Sequence, residues 1–191
     1  MQKITKATGV LVAVGILLAA AVSPAMAGDV GSTVTGGTLT ASTAGATLSG
    51  VTLNGSNTQT ATGSSTEWTI TDARGTGADW ALSASATVFT SAAGSTELTA
   101  RTIAVTNLTI TPGTITAGTG ADTAPTAGAV AIATAGTAQA LISATGPTKG
   151  TYTLTPTFSL AIPANAFRSN YTTGSSGALN PYTSTITYTI A

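Results

Sequence analysis

The residue types best suited to contact a ligand are concentrated in residues 66–89, which read TEWTITDARGTGADWALSASATVF. Both tryptophans of the chain, Trp68 and Trp80, lie in this stretch. An exposed indole ring can stack on a sugar ring, because one part of it is apolar and its N–H is polar. The apolar residues that accompany each tryptophan at every second position favour the alternative, in which both rings pack in a hydrophobic core.

Three charged residues, Asp72, Arg74 and Asp79, lie between the two tryptophans. They could form a polar rim around a ligand or bind a cation. The structural alternative is stronger, since an aspartate in a turn commonly accepts backbone N–H groups and an arginine pairs with a nearby acid. We predict ligand contact at these three residues and the two tryptophans, with the tip from Asp72 to Asp79 as the better candidate. No catalytic, cofactor-binding or metal-ligating residue is predicted.

Residues 66–73 and 79–90 have the alternating pattern of two β-strands. Trp68 and Ile70 share one face of the first, and Trp80 and Leu82 share one face of the second with the alanines and valine that follow at every second position. The connector at 74–78 contains two glycines, which accept the positive φ of a tight turn. The pattern therefore predicts a β-hairpin.

Further strands are expected along the rest of the chain, with polar loops at 57–65 and 114–128. Residues 150–163 read as one strand, and Pro156 places it at a sheet edge or at a bulge because proline donates no ladder hydrogen bond. The last strand covers residues 182–190, with threonines on its polar face. Eight to ten short strands rich in Thr, Val and Ile predict an all-β fold, an antiparallel β-sandwich.

The first 27 residues have the pattern of a secretory signal peptide. Lys3 and Lys6 precede an apolar run at 9–22, which is shorter than the ~20 residues of a membrane span, and Ala25 and Ala27 form a small-residue cleavage site. An uncleaved anchor is the alternative. We predict three segments: a signal peptide at 1–27, a flexible segment with at most one marginal strand at 28–45, and a β-sandwich domain at 46–191.

Composition excludes several classes of function. The chain has no cysteine and no histidine, which removes thiol catalysis, imidazole bases, Cys/His zinc sites and disulfides. After residue 27, four basic and six acidic residues give a formal charge of −2, so a nucleic-acid partner is not expected. No membrane association is expected after signal cleavage, and we predict no enzyme activity and no cofactor.

The stretch WTITDARGTGADWAL resembles the signature of WxL-domain surface proteins, with W-x-[LI] at Trp68–Ile70 and again at Trp80–Leu82. Residues 158–165 and 182–190 are also similar to this family, so the resemblance covers residues 46–191. Tyr188-Thr189-Ile190 stands where the family commonly has a second W-x-L. The resemblance implies a secreted bacterial protein that associates noncovalently with the cell wall, with peptidoglycan as its ligand.

Two rival functions follow from other features of the chain. Segment 28–45 could add as a strand to the open sheet edge of a second copy or of another surface protein, which would make the chain a subunit of an extracellular fibre or matrix. The repeated Thr-x-Thr pattern could order water or bind ice, although threonine is an ordinary polar residue of exposed strands.

Overall fold

The computed structural model describes residues 30–95, 97–174 and 177–191. The predicted signal peptide and the start of the segment after it lie outside these ranges. Residues 35–191 form one compact unit, and residues 30–34 belong to a separate unit. Residues 30–34 are exposed and contain no strand.

The compact unit consists of β-strands, as predicted. Its described residues contain fourteen strands and one single-turn 3₁₀ helix, Val105–Asn107. The strands are β1 Leu39–Ser42, β2 Gln59–Ser64, β3 Trp68–Asp72, β4 Trp80–Ala86, β5 Phe89–Ser91, β6 Arg101–Ile103, β7 Leu108–Thr111, β8 Thr116–Ala117, β9 Thr126–Ala127, β10 Val130–Ala131, β11 Gln139–Ala144, β12 Gly150–Leu154, β13 Thr157–Ile162 and β14 Ile186–Ile190.

These strands form four sheets, and every strand pair is antiparallel. The first sheet has the order β1-β3-β12-β8, the second β10-β7-β13-β2 and the third β14-β4-β11-β9, while β5 and β6 form a two-stranded sheet. The fold class is therefore all-β and consistent with the predicted β-sandwich. The strands are shorter and more numerous than the eight to ten expected.

One hydrophobic cluster joins the sheets. Burial alternates strictly along β4, where Trp80, Leu82, Ala84 and Ala86 are buried and the residues between them are half-buried. Side chains from the first, second and third sheets meet in this cluster, including Ile70 and Tyr152, Ile110 and Phe158, and Leu82 and Ile142. Alternation thus correctly indicated which face of each main strand is buried.

The predicted hairpin at residues 66–89 is wrong. Strand β3 pairs with β1 and β12 in the first sheet, whereas β4 pairs with β14 and β11 in the third. The connector carries the chain from one sheet to the other, and Gly75 has a φ of 71° in it. A period-two pattern specifies which face of a strand is buried but not which strand lies beside it, so two strands of separate sheets can look like a hairpin.

The single strand predicted at residues 150–163 is two strands. The chain leaves the first sheet after Leu154 and enters the second sheet at Thr157. Both β12 and β13 have partners on each side, so neither lies at an edge. Pro156 is buried at the junction, where the missing N–H removes no ladder bond. The apolar alternation continues through the junction because both strands face one core.

Two segments predicted as loops contain strands. Residues 59–64 form β2, which pairs along its whole length with β13, and residues 114–128 contain the two-residue strands β8 and β9. Only Ala61 of β2 is buried. Backbone hydrogen bonds to β13 hold β2 in place although it has no apolar face. The alternation of apolar and polar residues therefore did not predict this strand.

The segment expected to be flexible contains β1. Leu39–Ser42 pairs with β3 through four consecutive residues, and the Gly37 N–H donates to the Ala73 carbonyl over 2.7 Å. The compact unit begins at residue 35, so it includes part of this segment together with the domain predicted at residues 46–191, whose start stays a prediction. Pairing with the edge of β3 satisfies backbone groups of a segment that has few apolar side chains of its own.

Candidate functional site

Trp68 lies at the centre of the core. It has no exposed surface, and its indole N–H donates to the Ser65 hydroxyl over 2.9 Å and to the Ala44 carbonyl over 3.0 Å. Phe158 lies edge-on to its ring at 6.5 Å between centroids. The polar group of Trp68 is therefore satisfied inside the protein, and its ring is covered on several sides.

Trp80 is also a core residue, at 3% exposure. Its indole N–H donates to the Thr148 carbonyl over 3.3 Å, and its ring is tilted against that of Tyr152 at 6.2 Å between centroids. A ring that stacks on a sugar needs an accessible face, which neither tryptophan offers in this structure. Ligand contact by the tryptophans stays a prediction, while the packing role is directly visible.

Asp72 and Arg74 form a two-pronged ion pair at the end of β3. The Arg74 Nε donates to Asp72 Oδ1 over 3.0 Å and its Nη2 to Oδ2 over 2.9 Å, and the Arg74 backbone N–H adds a bond of 3.1 Å. The Asp72 side chain is 1% exposed. Hydrogen bonds from the Arg74 side chain hold the pKa of Asp72 below its ordinary value, against the effect of burial.

The same arginine also holds the connector between β3 and β4. Arg74 Nη2 donates to the Ala78 carbonyl over 2.9 Å, and Asp79 Oδ1 accepts the Gly146 backbone N–H over 2.8 Å. The three charged candidates therefore share one turn region, as the sequence suggested. Each of them makes hydrogen bonds within the chain that shape the turn, and contact with a ligand at this tip stays a prediction.

A second ion pair lies close to the Asp72–Arg74 pair. Lys149 Nζ donates to Asp122 Oδ2 over 2.8 Å, and the Lys149 backbone N–H donates to the same oxygen over 2.9 Å. These hydrogen bonds lower the pKa of Asp122. Gly150 is paired with Asp72 across the first sheet, and the positive charge of Lys149 adds to the lowering of the pKa of Asp72.

Another set of charged and aromatic side chains lies in the loops that follow β5 and β13 and at the start of β6. The Arg101 guanidinium lies over the Phe167 ring at 3.7 Å from its centroid and is paired with Glu97. The Arg168 guanidinium lies over the Tyr171 ring at 4.8 Å. Sequence reasoning did not select these residues. Two arginines and two aromatics within a chain dominated by Thr, Ser, Gly and Ala were the available signal.

The described residues contain no group of three or more acidic, histidine or cysteine side chains placed to hold a metal ion. They also contain no helix with the length and apolar character needed to cross a membrane.

Residues 27–191 match a protein family whose model is described as "WxL domain surface cell wall-binding". The chain belongs to the WxL family. The resemblance to this family seen in residues 46–191 is thereby confirmed, and the match begins earlier, at residue 27. No curated protein and no solved structure matches the chain. This WxL protein therefore associates with the cell wall at the cell surface.

The structure shows what the two W-x-[LI] motifs do in this WxL domain. The tryptophan and the aliphatic residue two positions later, Trp68 with Ile70 and Trp80 with Leu82, face inward from two different sheets and are all buried. Tyr188 of β14 packs edge-on against Trp68. These motif residues join the first and third sheets.

Proposed function

We propose that this WxL protein is a non-enzymatic wall-associated protein that binds peptidoglycan noncovalently. The family match across residues 27–191 carries the proposal, because it describes a surface domain that binds the cell wall. Peptidoglycan is the wall component that combines sugar hydroxyls, amides and carboxylates. A folded domain with hydroxyl-rich surfaces has suitable partners for all three groups.

The outward faces of the sheets support this choice of ligand. In the first sheet, Thr40, Thr71 and Thr151 lie side by side across three strands, and Ser159 of the second sheet lies between Thr62 and Thr109. Hydroxyls donate and accept hydrogen bonds without the desolvation cost of a buried charge. Such faces suit the sugar hydroxyls and the amides of peptidoglycan.

The positions of the carboxylates support a non-enzymatic role. Glycoside hydrolysis commonly uses two carboxyl groups that are free to transfer a proton or attack the sugar. Here Asp72, Glu97 and Asp122 are each paired with a cation in the chain, and Asp79 accepts a backbone N–H. These four acids are engaged in local structure, and Glu67 is the one acid of the described residues whose side chain is exposed with neither an ion pair nor a hydrogen bond. One free carboxylate is one short of the pair that this reaction uses.

Sedimentation with purified wall material tests the proposal. We expect the protein to sediment with peptidoglycan sacculi in a saturable way and to be released by soluble peptidoglycan fragments. A β-sandwich protein of similar size and charge serves as the control, and retention no greater than this control would overturn the binding proposal. Release of soluble muropeptides from the sacculi by the protein would contradict the non-enzymatic part.

The fibre hypothesis receives less support. It requires segment 28–45 to pair with another copy, yet Leu39–Ser42 is already paired with β3 of its own chain. The Ala73 N–H also donates to the Thr38 carbonyl over 3.0 Å. Segment 28–45 could therefore pair with another copy only after these bonds within its own chain were broken. We favour wall binding by a single chain for this reason.

A further inference from the structure

Large hydrophobic side chains are exposed at one pair of loops. Within residues 35–191, the exposed large hydrophobics of the described chain are Val88, Leu98, Phe167 and Leu179. Three of these four belong to the loops that follow β5 and β13. With the nearby arginines and tyrosine they form what we call the arginine–aromatic surface: Leu98, Arg101, Phe167, Arg168, Tyr171 and Leu179.

Hydrogen bonds around the buried residue Asn170 hold the two loops together. Asn170 is 2% exposed; its backbone N–H donates to the Ser91 hydroxyl over 2.9 Å, and its side-chain amide donates to the carbonyls of Ala92 and Thr99 over 2.8 and 3.2 Å. The Ser91 hydroxyl in turn donates to the Asn180 carbonyl over 2.7 Å. A loop fixed in this way presents its neighbouring side chains, Phe167, Arg168 and Tyr171, with little ordering cost on binding.

The loop backbones also touch directly. The Ser95 N–H donates to the Tyr171 carbonyl over 3.1 Å, and a Cβ added to Gly94 would lie only 1.7 Å from the same oxygen. Glycine at this position permits the approach, since any larger residue would clash with backbone. Tyr182 adds a further tie, because its hydroxyl donates to the Phe167 carbonyl over 2.9 Å.

The two arginines of the arginine–aromatic surface differ in whether an acid is paired with them. Arg101 is neutralised by Glu97, whereas Arg168 has no acidic partner among the described residues and is exposed. Its guanidinium lies over the Tyr171 ring. An exposed guanidinium of this kind can bind a carboxylate through two parallel N–H groups.

We propose that the arginine–aromatic surface is the peptidoglycan-binding site, a role that rests on the proposed function. The guanidinium of Arg168 binds a free carboxylate of the peptide stem. The exposed ring of Phe167 and the half-buried ring of Tyr171 contact apolar faces of the sugars through surfaces that the two guanidinium groups leave open. Phe167 is 54% exposed, so this ring is accessible where the two tryptophans are not. The tip from Asp72 to Asp79 is then a structural turn.

Two substitutions test the role of the surface in the full chain. Arg168→Gln and Phe167→Ala remove an exposed charge and an exposed ring, so the fold is expected to persist with an unchanged unfolding temperature. We expect the double variant to bind purified sacculi about tenfold more weakly than wild type, the range of a central interface contact. Arg168→Lys keeps the charge but not the fork of N–H donors, and we expect intermediate binding.

Matched control variants show whether weaker binding to sacculi is specific to the arginine–aromatic surface or follows from any loss of apolar surface or positive charge. Val34→Ala removes an exposed apolar side chain elsewhere (Val34 is 95% exposed), and Lys149→Gln makes the same change in net charge close to the Asp72–Arg74 pair. Both should bind sacculi as wild type does. If Lys149→Gln weakens binding while Arg168→Gln does not, the site lies near the tip and the inference is overturned.

Chemical treatment of the sacculi distinguishes whether Arg168 binds a carboxylate of peptidoglycan or a phosphate of an attached polymer. Sacculi stripped of phosphate-linked polymers by hydrofluoric acid should bind the protein as well as untreated sacculi do, and loss of binding after stripping would overturn peptidoglycan as the ligand. If wild type binds stripped sacculi and the double variant binds equally well, the proposed function stands and this site assignment fails. If wild type does not bind them at all, the proposed function itself fails.

Discussion

Trp68 of β3 and Tyr188 of β14 meet edge-on, with 4.7 Å between ring centroids and an interplanar angle of 71°. The contact joins the first sheet to the edge strand of the third, and it pairs the first W-x-[LI] motif with the Tyr188-Thr189-Ile190 sequence near the end of the chain. Edge-to-face pairs of this kind add stability beyond the area that they bury.

Replacing Trp68 should strongly destabilise the domain. We expect Trp68→Ala to lower the free energy of unfolding by about 3–5 kcal/mol, since it removes a fully buried ring and leaves a cavity. Urea denaturation followed by circular dichroism measures the change. Phe167→Ala is the matched control because its ring is largely exposed, and a similar loss in both variants would contradict the core role of Trp68.

Tyr188 should make the protein sensitive to alkali. Its hydroxyl is buried without a hydrogen-bond partner among the described residues, and burial raises its pKa to about 12. In the unfolded chain the Tyr188 hydroxyl ionises near pH 10. The contribution of Tyr188 to the free energy of unfolding is therefore complete below about pH 10 and is lost as the pH rises toward 12. Tyr188→Phe should reduce this loss.

At neutral pH the same variant should be as stable as wild type, or more stable by up to about 1 kcal/mol, because an unpaired buried hydroxyl is removed. Urea titrations at neutral pH and at pH 11 test both statements. A marked loss of stability at neutral pH would show that the hydroxyl has a partner. A wild-type-like loss in alkali would mean that other groups cause the sensitivity.

The Asp72–Arg74 pair should contribute to stability in a pH-dependent way. The pKa of Asp72 is lowered in the folded state, so its contribution is present above the unfolded pKa of about 4 and is lost as the pH falls through the folded value. We expect Asp72→Asn to cost about 1–3 kcal/mol at pH 7, since it weakens hydrogen bonds to a charged group. The difference from wild type should shrink at low pH.

Asp79→Asn provides the comparison for this measurement. Asp79 is exposed and the amide oxygen of asparagine can still accept the Gly146 N–H, so little change in stability is expected. Denaturation midpoints from pH 2 to 7 would be compared for the three proteins. A constant difference between Asp72→Asn and wild type across that range would contradict the assigned pKa shift.

The packing of residues 35–38 against the connector between β3 and β4 should depend on Gly36. A Cβ at this position would lie 2.2 Å from the Arg74 carbonyl oxygen, so Gly36→Ala must displace backbone and should cost about 1–3 kcal/mol, as other overpacked sites do. Gly45→Ala is the control, because nothing lies within 4 Å of its added Cβ. Equal denaturation midpoints for the two variants would show that residues 35–38 are not held against the connector.

The sequence by itself determined the fold class, the inward faces of the main strands and the family. Alternation around Trp68, Trp80 and Tyr152 was enough, because a strand with one apolar face can be stable only with that face buried. The candidate charged residues at 72–79 were also correctly grouped, since they are close in the chain. What they bind stays a prediction.

Only the tertiary structure decided which strands are neighbours. Strands β3 and β4 belong to different sheets, Pro156 marks a passage between sheets, and β1 and β2 are held mainly by backbone bonds to β3 and β13. Pairing of this kind depends on groups far apart in the chain, which local patterns do not encode. For the same reason the arginine–aromatic surface depends on the tertiary structure, because Arg101 and Phe167 are 66 positions apart in the chain and in contact in the fold.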